Sequence, residues 1–165
     1  MGVNVAQLVR TWALRTPDRI AAVVWEEGTR RELSYAQLDL RARRAAARFA
    51  ALGFTPQSRV AVSVQNGVAF LDAWFGGLYQ GLTLLPVPPM SAPPELAFRL
   101  QHASCAGLVC DASTLGLGQA ALALHAGAQL LDAAQLAQGA DDHPGPLDLS
   151  PESLALVLYT SGTTG

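Results

Sequence analysis

The chain has 165 residues, of which 50% are hydrophobic and 15% are charged, and its formal net charge is −2. This composition predicts a globular domain with a buried core and excludes a disordered chain. The weak negative charge provides no basic field for nucleic acid or for an anionic membrane, so no nucleic-acid partner is expected.

The first third of the sequence predicts a helix, a hairpin and a second, longer helix. Residues 4–15 predict a helix, because their apolar side chains recur at helical spacing on one face. Residues 20–25 and 30–33 predict two short strands joined by a turn. Ser34 is a typical N-cap for the long helix, with Gln37 as its capping-box partner, and Gly53 is well placed to end that helix. The four arginines of the long helix (Arg41, Arg43, Arg44 and Arg48) predict a solvated face.

The rest of the chain alternates between short apolar strands and helical segments. The predicted strands are 60–64, 83–87, 108–110 and 128–131, and the predicted helices are 66–79, 94–103 and 114–125. This order indicates right-handed βαβ crossovers, and therefore an α/β fold with a mainly parallel sheet flanked by helices. Residues 132–150 predict a surface loop with one helical turn. Phe70, Trp74, Phe75 and Tyr79 recur at helical spacing, which favours a core-facing side over a substrate-binding patch.

A final strand over residues 154–159 runs directly into a loop rich in hydroxyl groups and glycines. Its apolar composition is typical of a strand buried on both faces. In such a loop, backbone N–H groups and hydroxyls can surround phosphate oxygens at the carboxyl end of a strand. It is not a Walker A loop, which needs a lysine, and the chain contains no lysine. Without further context the loop is equally compatible with an ordinary turn. The candidate phosphate-binding residues are Thr160, Ser161, Gly162, Thr163, Thr164 and Gly165.

Residues 159–165 (YTSGTTG) resemble the phosphate-loop signature of the adenylate-forming superfamily, which includes acyl-CoA synthetases, amino-acid adenylation domains and luciferases. Two further landmarks occur in the family's order: 33–38 (LSYAQL) is similar to its LTYxEL element, and 79–87 (YQGLTLLPV) to its RAGAVVVPL element. The opening at 12–23 is also similar to the family's start. The resemblance implies the first subdomain of the superfamily's N-terminal domain, so we expect residues 1–165 to be an incomplete AMP-binding domain.

By this resemblance, the complete protein is expected to be an ATP-dependent acid–thiol ligase. A carboxylate would attack the α-phosphorus of ATP to give acyl-AMP and pyrophosphate, and a thiol would then displace AMP. The implied cofactors are ATP and Mg²⁺, with CoA as the acceptor. The loop would hold the β- and γ-phosphates. We expect no catalytic residue and no metal ligand within these residues, and therefore no activity of residues 1–165 alone.

The sequence indicates the substrate class less clearly than it indicates the family. Residues 86–100 resemble the acyl-CoA synthetase pattern PLNPxxxPxELxxxL, which favours a fatty or other acyl substrate. An amino-acid adenylation domain and a fatty-acyl-AMP ligase, which use a carrier-protein thiol, remain open. So does a non-catalytic, stand-alone nucleotide-binding or interaction module.

The remaining reactive side chains predict no second site. Cys105 and Cys110 match neither a zinc spacing nor a C-x-x-C motif, and we expect both to be buried and reduced. His102, His125 and His143 are scattered singly and are predicted to be structural or exposed rather than metal ligands. The sequence has no recognisable signal peptide or membrane span, so the cytoplasm is the expected location. The apolar final strand also predicts self-association of the isolated chain.

Overall fold

The computed structural model describes residues 4–160. Within that range the helices are α1 Gln7–Arg15, α2 Tyr35–Ala51, α3 Val68–Tyr79, α4 Pro93–His102 and α5 Leu115–Leu124, with a 3₁₀ helix at Ala133–Gln138. The strands are β1 Ile20–Glu26, β2 Thr29–Ser34, β3 Arg59–Ser63, β4 Thr83–Pro86, β5 Gly107–Cys110 and β6 Gln129–Asp132. These elements lie within a few residues of the predicted ones.

The four strands β3 to β6 form one parallel sheet in the order β4-β3-β5-β6, and β1 and β2 form a separate antiparallel hairpin. Val60 of the central strand β3 lies opposite Leu84 of β4 and Gly107 of β5. Helices α3, α4 and α5 connect successive strands of this sheet. The predicted α/β fold with a mainly parallel sheet flanked by helices is therefore confirmed.

Each face of the sheet has its own apolar core, because successive strand residues point to opposite faces. Val60 and Val62 of β3 pack on one face with residues of α2 and α3 such as Phe49. Ala61 packs on the other face with residues of α4 and α5 such as Leu96. The sheet is thus covered on both sides, as its apolar strands require.

The predicted start and end of α2 are confirmed. The Gln37 N–H donates to Ser34 Oγ over 3.3 Å, and the Ser34 N–H donates to Gln37 Oε1 over 2.9 Å, which together form a capping box. Beyond α2, Gly53 has a φ of 88°, a left-handed conformation that glycine adopts without the Cβ penalty. The family-like landmark at 33–38 is therefore the junction between β2 and α2.

The arginines of α2 do not simply form a solvated face. Asp39 is 3% exposed and accepts hydrogen bonds from Tyr79 Oη (2.9 Å), Arg10 Nη1 (2.6 Å) and Arg43 Nε (3.2 Å). Arg41 pairs with the buried carboxylate of Asp72 on α3. The prediction failed for these two arginines because helical spacing does not reveal acidic partners on other elements.

Most of the apolar face of α1 lies on the surface, since Val5 and Leu8 are 59% and 64% exposed. Two further predictions are corrected by the packing. Leu158 is 62% exposed, so the final segment is not buried on both faces. Leu136 and His143 are buried, so residues 132–150 pack more tightly than a surface loop. Of the aromatic residues on α3, Tyr79 is fully buried, whereas Phe70, Trp74 and Phe75 only border the core.

Candidate functional site

The loop predicted to bind phosphate follows a segment that lies along the outer edge of β4. The Leu84 N–H donates to the Ala155 carbonyl over 3.0 Å, and the Val157 N–H donates to the Leu84 carbonyl over 2.9 Å. This Leu84–Leu156 bridge is parallel, so the segment runs in the same direction as β4. Thr160 therefore lies beyond the carboxyl end of the sheet, the edge at which open parallel sheets bind ligands.

The described structure reaches only the first of the six predicted loop residues. Thr160 is exposed. The remaining candidates, Ser161, Gly162, Thr163, Thr164 and Gly165, lie outside the described residues. Their predicted role in phosphate binding stays a prediction.

Tyr159, immediately before Thr160, is held by the last turn of α4. Its hydroxyl lies 2.6 Å from His102 Nδ1, and the Arg99 guanidinium carbon lies 5.6 Å from the centre of its ring. Val157 and Tyr159 pack against the core on the α4 side of the sheet. This contact could not be predicted from local patterns, because His102 and Tyr159 are 57 residues apart.

The second family-like landmark, at 79–87, spans the end of α3 and the whole of β4. Tyr79 anchors it through Asp39, and Gly81 forms the turn with a φ of 75°. The Thr83 hydroxyl then donates to the Leu154 carbonyl over 2.9 Å. This landmark therefore contacts the final segment directly, at the edge of the sheet.

A cleft of about 570 Å³ opens between the β1–β2 hairpin and the carboxyl ends of β3 and β5. Asp111 lines it and accepts hydrogen bonds from the Gln65 N–H (2.6 Å) and from the Ser113 hydroxyl (2.6 Å). Partial burial opposes ionisation of Asp111, but these bonds prevail and hold its pKa below the usual range. Asp111 is therefore an ionised carboxylate that fixes the loops, and its place directly after a strand was the available sequence signal.

The cysteines and histidines do not form a second reactive site within residues 4–160. Burial raises the pKa of Cys105 to about 11 and also raises the pKa of Cys110, which disfavours a nucleophilic thiolate. Both thiols are free, as predicted. His143 is buried, with Nε2 3.0 Å from Gln80 Oε1, and accepts a hydrogen bond at Nδ1 from the Gly145 N–H. It is structural, as predicted.

In the part of the chain that the structure describes, no group of three or more His, Cys, Asp or Glu side chains is placed to hold a metal ion. The described helices are all too short or too polar to span a bilayer.

Comparison with known proteins gives concordant matches. The sequence model of the AMP-binding enzyme family matches residues 9–165. AMB antimetabolite synthetase AmbB from Pseudomonas aeruginosa is 33% identical over 96% of this chain, which covers 12% of that protein. Salicyl-AMP ligase / salicyl-S-ArCP synthetase from Mycobacterium tuberculosis is 36% identical over 93% of this chain, which covers 30% of that protein.

Solved structures show the same similarity. The N-terminal domain of FACL13 from Mycobacterium tuberculosis aligns with a TM-score of 0.86 and 26% identity, over 100% of this chain and 42% of that one. The chain thus spans less than half the length of each of these proteins.

Proposed function

Because the chain belongs to the AMP-binding enzyme family, we propose that it is part of an ATP-dependent ligase that activates a carboxylic acid and transfers it to a thiol. The observation that carries the proposal is the parallel pairing of Leu84 with Leu156. This pairing leads the chain to Thr160 beyond the carboxyl end of β4, and the hydroxyl- and glycine-rich sequence begins at that residue. Donors at that edge suit the phosphates of ATP.

The proposed reaction has two steps. A carboxylate oxygen bonds to the α-phosphorus of ATP while the bond to the bridging oxygen of pyrophosphate breaks, which yields acyl-AMP. A thiolate then bonds to the acyl carbon, and AMP leaves. The proposed role of Thr160 and the residues that follow is to orient the β- and γ-phosphates. Mg²⁺ would accompany ATP, but residues 4–160 offer no cluster of ligands for it, so we assign it no step.

We favour an acyl-CoA synthetase as the specific activity. The proline-rich segment 86–100 leads into α4 with Pro93 and Pro94 at the start of the helix, in the pattern that resembles that subfamily. The structural likeness to the fatty acyl CoA synthetase of Mycobacterium tuberculosis, with a TM-score of 0.83 and 25% identity, supports the same choice. The substrate would then be a fatty or other acyl carboxylate, and the acceptor would be CoA.

A second candidate is a ligase that loads a carrier-protein thiol. The similarity to AmbB and to salicyl-AMP ligase / salicyl-S-ArCP synthetase favours it. The two candidates share the first step and differ in the thiol that accepts the acyl group. Measuring transfer to CoA and to a carrier protein therefore distinguishes them.

The decisive experiment uses the product of the complete reading frame that encodes residues 1–165. Exchange of labelled pyrophosphate into ATP would be measured with fatty, aromatic and amino acids in turn, followed by transfer to CoA or to a carrier protein. We expect exchange that depends on one class of acid. A product that exchanges with none of them would contradict the proposal and favour a non-catalytic module.

A matched pair of variants tests the role of the loop in the same assay. Thr160→Val keeps the side-chain shape and removes the hydroxyl, and we expect about a tenfold or greater loss of exchange. Thr55→Val removes an exposed hydroxyl from the turn before β3, at the opposite end of that strand, and should leave the exchange rate unchanged. Equal rates for both variants would show that the Thr160 hydroxyl does not contact ATP.

A further inference from the structure

The last turn of α4 contacts Tyr159, the residue that leads into the proposed phosphate loop. Tyr159 Oη lies 2.6 Å from His102 Nδ1, and the two rings meet edge to face with their centres 5.7 Å apart. On the same ring, Arg99 makes a cation–π contact at 5.6 Å. Three contacts from one helical turn therefore fix both the hydroxyl and the ring of Tyr159.

Helix α4 and the side chains that contact Tyr159 are themselves held in place by packing. Leu96 and Leu100 are 0% and 1% exposed, so one side of the helix is embedded in the core. Phe98 stacks on the His102 ring, with centres 5.4 Å apart and planes at 21°. Arg99 is steadied by an ion pair of 2.6 Å with Glu95, one turn earlier. The side chains that hold Tyr159 are thus themselves placed by packing.

The backbone of the final segment is joined to β4 at few points. Within residues 4–160, two hydrogen bonds make this pairing, one at Ala155 and one at Val157. Among the described residues, no backbone hydrogen bond of this pairing lies beyond Val157. The side chain of Tyr159 is therefore the last point at which residues 4–160 fix the path of the chain before Thr160.

We propose that His102 and Arg99 are positioning residues for the phosphate loop, acting through Tyr159. They would set the direction in which the chain enters the loop, so their loss would disturb the binding of the ATP phosphates and leave the binding of the carboxylate intact. The inference rests on the proposed function, since it assigns a role to the same loop. A purely structural contact would instead change stability without distinguishing between the two substrates.

The experiment measures KM and kcat for ATP and for the carboxylate in the product of the complete reading frame. His102→Ala and Tyr159→Phe should each raise the KM for ATP about three- to tenfold, as expected for loss of one orienting hydrogen bond. The KM for the carboxylate should stay constant. The double variant should be no worse than either single variant, because both remove the same interaction.

Two further variants separate positioning from folding. His102→Asn keeps a hydrogen-bonding atom near the place of Nδ1 and should restore most of the affinity for ATP. His125→Ala, at the end of α5, removes a histidine of another helix and should leave both KM values unchanged. Thermal unfolding of every variant shows which of them are folded when assayed.

The outcomes distinguish this inference from the proposed function. An unmodified protein without acid-dependent exchange would overturn the proposed function, and the positioning role with it. An active protein in which His102→Ala keeps the KM for ATP, or raises both KM values equally, would overturn the positioning role alone.

Discussion

Arg41 on α2 donates two hydrogen bonds to the Asp72 carboxylate on α3, 2.7 Å from Nε to Oδ1 and 2.5 Å from Nη2 to Oδ2. The Asp72 side chain is 3% exposed and that of Arg41 is 35% exposed. The pair therefore joins the two helices that cover one face of the sheet. The two hydrogen bonds form the bidentate geometry that the planar guanidinium of arginine provides to a carboxylate.

Removal of Arg41 should destabilise the protein through the carboxylate that it leaves behind. We expect Arg41→Leu to lower the free energy of unfolding by about 3 kcal/mol, because Asp72 would be buried without a partner. Arg44→Leu is the control, since Arg44 makes no ion pair within residues 4–160, and it should cost less than about 0.5 kcal/mol. Urea denaturation measures both. Similar losses for the two variants would contradict this role.

The hydroxyl of Tyr79 should contribute to stability through Asp39. Tyr79→Phe removes the 2.9 Å hydrogen bond to the buried carboxylate and should cost about 1–2 kcal/mol. The ring fills the same space in the variant, so the packing is preserved. Tyr35→Phe is the matched control, because the Tyr35 ring packs beside Trp12 near the surface. Equal melting temperatures for the two variants would disprove the contribution.

Close contact between α2 and α3 requires glycine at position 76. A Cβ at Gly76 would overlap Ala45 Cβ and lie 3.2 Å from the Ala46 backbone nitrogen. Gly76→Ala should therefore cost about 2 kcal/mol or more from overpacking. Gly116 in α5 has nothing within 4 Å of the same position, so Gly116→Ala should stabilise the helix by about 0.5–1 kcal/mol. Opposite shifts in melting temperature are expected, and shifts of the same sign would refute the packing argument.

Stability should fall in mild acid because of His143. Burial lowers the pKa of His143 from its usual value of 6.5, although the neighbouring Asp142 opposes this and Arg43 adds to it. The unfolded chain then binds the proton more readily than the folded one. The contribution of His143 is therefore complete above about pH 6.5 and is lost as the pH falls through the lowered pKa.

The comparison that isolates this effect uses His143→Gln. The difference in unfolding free energy between the unmodified protein and this variant should shrink from about pH 7.5 to about pH 5. His125→Gln provides the reference for a histidine at a helix end. A difference that is independent of pH would show that His143 titrates normally in the folded state.

The exposed leucines of the final segment should promote self-association of residues 1–165. Leu154, Leu156 and Leu158 are 50%, 37% and 62% exposed on the segment that lies along the edge of the sheet beside β4. Leu158→Arg should lower the apparent mass in light scattering. Leu124→Arg, at a residue 63% exposed at the end of α5, should not change it. A monodisperse monomer of the unmodified chain would contradict this prediction.

The sheet and its helices could be predicted because local signals specify them. Alternating short apolar runs and helical segments predicted every strand of the sheet, and Ser34 with Gln37 located the start of α2. The contacts that join distant residues, such as Arg41 with Asp72 and His102 with Tyr159, could not be predicted. They depend on which helix faces lie together, which a single sequence with helical periodicity does not specify.

The sequence predicted a phosphate-binding loop at the edge of a sheet, and the structure describes only the first residue of that loop, Thr160. The hydroxyls and glycines indicated phosphate binding, and the strand pattern indicated the edge of a sheet. The prediction of a fully buried final strand was wrong, because Leu156 and Leu158 face away from the core that receives Val157 and Tyr159. Apolar composition alone does not distinguish one buried face from two.

The pairing of Ala155 and Val157 with Leu84 has a consequence for motion. Two backbone hydrogen bonds join this segment to β4, whereas β3 is bonded to a strand on either side. The segment can therefore detach in a local opening that leaves the sheet intact. Its Val157 amide proton should exchange with deuterated solvent much faster than that of Val60 in the sheet centre. A nucleotide bound at Thr160 would slow that exchange, so amide protection at the sheet edge would report ligand binding.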